Sequence, residues 1–220
     1  DVLLKDFQIS GGNQSTINGI QFLGQLSIHN ANVEIKDSYI AASSSDDGMN
    51  IRNSDVLIHN SIFEDNFADQ IDLDFCKGEL INNTFRFVSQ PRNDLKDPNG
   101  DGLDVSGSKV ILRNNSFEGF LDKALSVGEE SVVLIENNVF NKNLRALTVK
   151  DGSKAYVLEN YFRDNTFDFS LYIKKRFYKE PQIYLLNIPS SSKIDNQLVR
   201  RIDSFSILSK SEIIKSYEAE

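Results

Sequence analysis

The chain has 220 residues, 40% hydrophobic and 10% aromatic, which suits one domain with a sizeable core. Its 24 basic and 32 acidic residues give a net charge of -8, which opposes binding to a polyanion and argues against a nucleic-acid partner. A single cysteine, Cys76, excludes an internal disulfide and reads as a small core hydrophobe, and no apolar run approaches the ~20 residues of a membrane span.

The first residues, DVLLKDFQIS, read as a strand and not as a signal peptide, and GIQFLG (19–24) as part of an early coil. From there a repeat governs the chain. Phe63, Phe85, Phe117, Phe140 and Phe162 are separated by 22, 32, 23 and 22 residues, a period of about 22 broken by one ten-residue insertion. Just before them stand Ser61, Asn83, Asn115, Asn138 and Asn160, each preceded by an apolar run such as Val56-Leu57-Ile58. Further upstream, GMNIR, QIDLD, GLDVS, ALSVG and ALTVK alternate apolar and polar residues at the strand period.

A unit of two or three such strands cannot bury its apolar face alone, so the units must stack. The expectation is an all-β chain, a right-handed parallel β-helix of about seven coils, ending with SLYIKK (170–175) and QIYLLN (182–187). Asn83, Asn115, Asn138 and Asn160 should stack as an internal ladder, and Ser54, Ser108, Ser131 and Ser153 as a hydroxyl ladder at a second turn. After Pro189 the run SSSK breaks the pattern. Leu198, Ile202 and Phe205 then recur at spacings of 4 and 3, which predicts a helix covering the open end, with KSYEAE frayed beyond it. The β-helix is therefore placed at 1–189 and a helical cap or tail at 190–220.

The repeat, the Asn ladder and the aromatic position resemble the pectate-lyase-like superfamily of right-handed parallel β-helices, which groups carbohydrate-binding proteins with sugar hydrolases and lyases. The resemblance covers roughly residues 2 to 188. The runs DQIDLDF, NGDGLDVSGS, DKALSVGEES, TVKDGS and LYIKK resemble a bacterial subfamily of β-helix repeat proteins whose function is not characterised. The resemblance implies a groove along the first sheet, floored by strands such as GLDVS.

Strand alternation puts Leu103 and Val105 inward and Asp104 and Ser106 outward. One outward column then reads Asn50, Asp72, Asp104, Ser126, Thr148, Tyr172, and the next Arg52, Asp74, Ser106, Gly128, Lys150, Lys174, with Asp47, Asp69, Asp101, Lys123 and Arg145 near the turn before them. Carboxylates gather on the early coils and bases on the late ones. Carboxylates one coil apart repel, so they should hold protons, recruit a base or bind a hard cation such as Ca²⁺. Asp72, Asp74, Asp101 and Asp104 are the candidate metal ligands. Asp97, Asn99 and Asp101 followed by Gly102 also match the start of a calcium loop, although Ser108 stands where such a loop closes with Glu.

Three readings follow. The first is an enzyme acting on a polysaccharide, most concretely a cation-assisted lyase with Lys123 or Lys150 as base, Asp104 at the catalytic centre, and Arg52, Arg145, Tyr172 and Lys174 binding substrate. The resemblance supplies the calcium-plus-lysine arrangement. A related hydrolase set carries a His motif, whereas His29 and His59 both read as second-strand turn residues. The second reading is a non-catalytic module for a polysaccharide, an oligosaccharide or a protein partner. The third is a solvated face of ion pairs, each worth little.

Overall fold

Short alternating runs separated by turn residues become parallel strands. The computed structural model describes residues 1–89, 100–187, 191–195 and 204–220. Each coil contributes one strand to each of three sheets, and successive coils stack in parallel as a right-handed solenoid of about seven turns. The first sheet holds Gly24–His29, Asp47–Arg52, Asp69–Asp74, Leu103–Ser106, Lys123–Gly128, Arg145–Lys150 and Phe167–Tyr172. A second sheet of nine strands runs from Val2–Lys5 to Phe205–Ile207, and a third of seven runs from Gln8–Ser10 to Tyr161–Arg163. The ten-residue insertion, with Asp97 and Asn99 of the calcium-like run, lies outside the described residues.

The expected columns form. Met49, Ile71, Leu103, Leu125 and Leu147 stack in register on the inner face of the first sheet, all buried. Phe63, Phe85, Phe117, Phe140 and Phe162 stack with ring centroids 4.7 to 5.1 Å apart, the offset spacing that aromatic rings favour. In the Asn ladder, each Oδ1 accepts the backbone N–H of the ladder residue one coil earlier: Asn115 from Asn83 at 2.9 Å, Asn138 from Asn115 at 2.8 Å, Asn160 from Asn138 at 2.7 Å. The residue before each ladder Asn has left-handed backbone, φ 56° at Asn82, Asn114 and Asn137, which Asn tolerates better than most side chains. That explains the repeated Asn-Asn. The serine ladder forms too, and Cys76 takes one rung of it: its N–H donates to Ser108 Oγ at 2.7 Å, and its Sγ lies 3.3 Å from the Ile51 carbonyl.

Two expectations at the ends are corrected. Of GIQFLG only the final Gly24 enters the solenoid, as the start of a first-sheet strand, because Ile20–Phe22 folds back on Ser15–Ile17 as an antiparallel hairpin. The described helix lies at Lys210–Glu218. Phe205 belongs to the strand Phe205–Ile207, which pairs with Gln182–Leu185, while Leu198 and Ile202 lie outside the described residues. The reason is local: Ser209-Lys210-Ser211-Glu212 forms a capping box, with the Ser209 N–H donating to Glu212 Oε2 at 2.8 Å and Ser209 Oγ accepting from the Glu212 N–H. Of the residues expected to fray, Lys215 to Glu218 are thereby helical. Ile213 and Tyr217 pack on Leu134, Tyr156 and Leu158, so the helix covers the outer face of the second sheet and not an open end.

Candidate functional site

Strict alternation would put Asp101 on the same side as Leu103 and opposite Asp104. The backbone departs from it. A Cβ on Gly102 would lie 2.9 Å from the Phe120 ring, so Gly102 and Leu103 both face inward, and Asp101 and Asp104 come together on the other side. The coil before repeats the slip, since its ladder pairs Asp69 with Asp47 and then Ile71 with Met49, passing over Gln70. As a result, carboxylate oxygens of Asp69, Asp101 and Asp104 all lie within 4.8 Å of one another. Asp72 is the register neighbour of Asp104, and Asp74 that of Ser106.

Bases offset only part of the charge around this cluster. Lys123 Nζ is 2.9 Å from Asp101 Oδ1 and also pairs with Asp122. Lys150 Nζ donates to Ser126 Oγ at 2.7 Å and lies 3.7 Å from Asp104 Oδ2. The Asp101 N–H donates to Asp69 Oδ1 at 2.7 Å, and Asn50 Nδ2 to Asp72 Oδ2 at 3.0 Å. Arg52 pairs with Asp74 at 3.1 Å. Among the described residues, two buried oxygens here, Asp104 Oδ1 and Asp47 Oδ2, have no hydrogen-bond partner.

Burial and mutual repulsion push the carboxyls up. Asp72 rises to about 9, through burial first and then Asp74 and Asp47; Asp47 rises to about 7 through burial and Asp46. Asp101 rises to about 6, because burial outweighs the Lys123 ammonium beside it. Asp69 is held well above the ordinary range by burial and by Asp101. Burial alone would lower Lys123 and Lys150, yet both are raised, Lys123 by Asp101 and Asp122 and Lys150 by Asp104 and Asp101. The two lysines are thus held as ammonium ions, the reverse of what a lysine base needs.

Of the expected metal ligands, Asp101 and Asp104 meet, while Asp72 and Asp74 bond to Asn50 and Arg52 instead. Asp69 completes the cluster. Its signal in the sequence was the small residue before the large inward one in neighbouring coils, at Gly48-Met49, Gly102-Leu103, Ala124-Leu125 and Ala146-Leu147, although the coil of Asp69 itself carries Gln70-Ile71 there. Asp122 was also overlooked as the partner of Lys123 and Arg145. Arg145 is further tied to buried Asp195 at 2.8 Å.

Three placements are corrected. Tyr172 pairs with Lys150, not with the Thr148 column, which ends at Ser170. Lys174 follows the last strand and is exposed, with its N–H donating to Asp151 Oδ1 at 2.7 Å, so it lies off the sheet. His29 is on the first sheet after all, beside Arg52 and stacked on Phe22 at 5.1 Å. It stands three coils from Asp104, roughly 14 Å at the strand spacing, too far to share a reacting atom with it. His59 does lie on the second sheet, 3.5 Å from Glu34.

Residues 90–183 match the family described as right handed beta helix region, and the stacked coils continue the same architecture on the N-terminal side of that stretch. The protein is a right-handed parallel β-helix. The pectate-lyase-like superfamily fits this β-helix at the level of architecture. No curated protein and no solved structure matches the chain. Among the described residues, no helix of this β-helix is long and apolar enough to cross a membrane.

Proposed function

We propose that the β-helix binds an acidic polysaccharide or oligosaccharide along the outer face of its first sheet, with a divalent cation such as Ca²⁺ bridging Asp69, Asp101 and Asp104 to a sugar carboxylate. One observation carries the reading: oxygens of these side chains lie within 4.8 Å of one another, the spread that ligands of a single Ca²⁺ at about 2.3 to 2.6 Å require. Three protein carboxylates leave most of a shell of roughly 6 to 8 oxygens to water and substrate. Lys123 and Lys150 beside the cluster offset part of the negative charge that would otherwise repel an anionic glycan.

The lyase reading demands a neutral Lys123 or Lys150, and the ion pairs oppose that. The geometry therefore favours binding over turnover. Calorimetric titration of oligogalacturonate in calcium should show binding that is lost in chelator and weakened about tenfold or more in Asp104→Asn. Prolonged incubation should yield no unsaturated ends. Unsaturated products would reinstate the lyase, and binding indifferent to chelator and to Asp104→Asn would remove the cation from the site.

A further inference from the structure

We infer that Phe75 is a stacking platform for a sugar ring at the rim of the first sheet, an inference that rests on the glycan-binding reading above. Over four successive coils the corner between the first and second sheets uses one left-handed residue: Asn30 at φ 57°, Asn53 at 48°, Phe75 at 54° and Gly107 at 59°. Asn and Gly suit that backbone, whereas a bulky aromatic there is strained and its presence calls for a reason. The ring gains no core burial in return, because Phe75 remains 55% exposed.

The next coil makes room for it. A Cβ on Gly107 would lie 2.6 and 2.7 Å from ring carbons Cδ1 and Cε1 of Phe75, so the ring occupies the space a side chain at 107 would fill. Beside it opens a polar cavity of about 530 Å³ whose lining includes Asn30, Asn53, Asp55 and Lys77. The side chains of Asn30 and Asn53 are exposed, and their amides have no hydrogen-bond partner among the described residues. An aromatic surface next to free amides and a carboxylate matches a pyranose, which offers one apolar C–H face and a rim of hydroxyls. The position is continuous with the acidic face, since Phe75 directly follows Asp74, the partner of Arg52.

Phe75→Asn supplies the test, because it installs the residue that the two preceding coils already carry at this corner. Wild type, Phe75→Asn and Asp104→Asn are titrated with hexagalacturonate and with cellohexaose, in calcium, and their unfolding midpoints measured. Phe75→Asn is expected to weaken binding about tenfold while its midpoint stays equal or rises. Unchanged affinity in Phe75→Asn, with affinity lost in Asp104→Asn, overturns the platform and leaves the cation reading standing. Loss in Phe75→Asn alone keeps the platform and removes the cation reading. A wild type that binds neither probe overturns both.

Discussion

At the scale of single residues, the acidic face is an arrangement the fold tolerates at a cost. Asp72 has a carboxyl pushed from 3.8 to about 9, so between those values the folded chain keeps a proton that the unfolded chain releases. Stability must then fall as pH rises through that window, and Asp47, raised to about 7, adds the same sign over a narrower range. In chelator, urea unfolding should show a less stable protein at pH 8 than at pH 5. Asp72→Asn should flatten that slope and stabilise the protein at pH 8 by at least about 1 kcal/mol, because each tenfold change in an acid's dissociation constant is equivalent to about 1.4 kcal/mol. A variant that is less stable at pH 8 would mean that Asp72 is held ionised by its neighbours. The same residues show where sequence reasoning stopped: that Asp72 and Asp104 are adjacent followed from the period, but which carboxylates converge depended on Gly102 turning inward, a departure from alternation that a two-residue period does not contain.

At the scale of elements, coils were legible because three independent features recur together: the alternating strand, the Asn-Asn corner and the buried Phe. Each is a rung of a different stack, so one period fixed them all. Asn115 shows what a rung is worth. Its Oδ1 accepts the Asn83 N–H at 2.9 Å, and its Nδ2 donates to the Leu80 carbonyl at 2.8 Å and to Asn138 Oδ1 at 2.9 Å. Asn115→Ala leaves buried backbone groups unpaired, each costing about 1 to 3 kcal/mol, and should lower the stability read from denaturant unfolding by roughly 2 to 4 kcal/mol. A loss below about 0.5 kcal/mol would show that the neighbouring coils close over the gap. A second ladder, in which Asn143 Oδ1 accepts the Phe120 N–H and Asn165 Oδ1 the Asn143 N–H, was visible as Asn at a fixed five-residue offset from Asn138 and Asn160 and was overlooked. The terminal helix at Lys210–Glu218 carried a different signal. Apolar spacing at Leu198, Ile202 and Phe205 outweighed a short capping signature at Ser209 to Glu212, although it is the cap that satisfies the first-turn amides.

At the scale of the whole molecule, a solenoid turns sequence order into position along an axis, so charge segregated in the chain becomes charge segregated along one face. Asp47, Asp69, Asp72, Asp74, Asp101 and Asp104 precede Lys123, Arg145 and Lys150 in the sequence, and the first sheet lays them out in that order. Carboxylates thus outnumber bases on the early coils, where Arg52 is paired to Asp74, and the bases collect on the later ones, where Asp122 holds Lys123 and Arg145. The proposed function stands or falls with a cation held by three of those carboxylates. Anomalous diffraction from crystals grown in calcium, with a manganese-exchanged crystal as a second scatterer, would locate that cation without reference to any sugar. A peak is expected about 2.3 to 2.6 Å from carboxylate oxygens of Asp69, Asp101 and Asp104 in the calcium crystal. The absence of a peak there in both crystals, with Lys123 still paired to Asp101, would contradict the cation site.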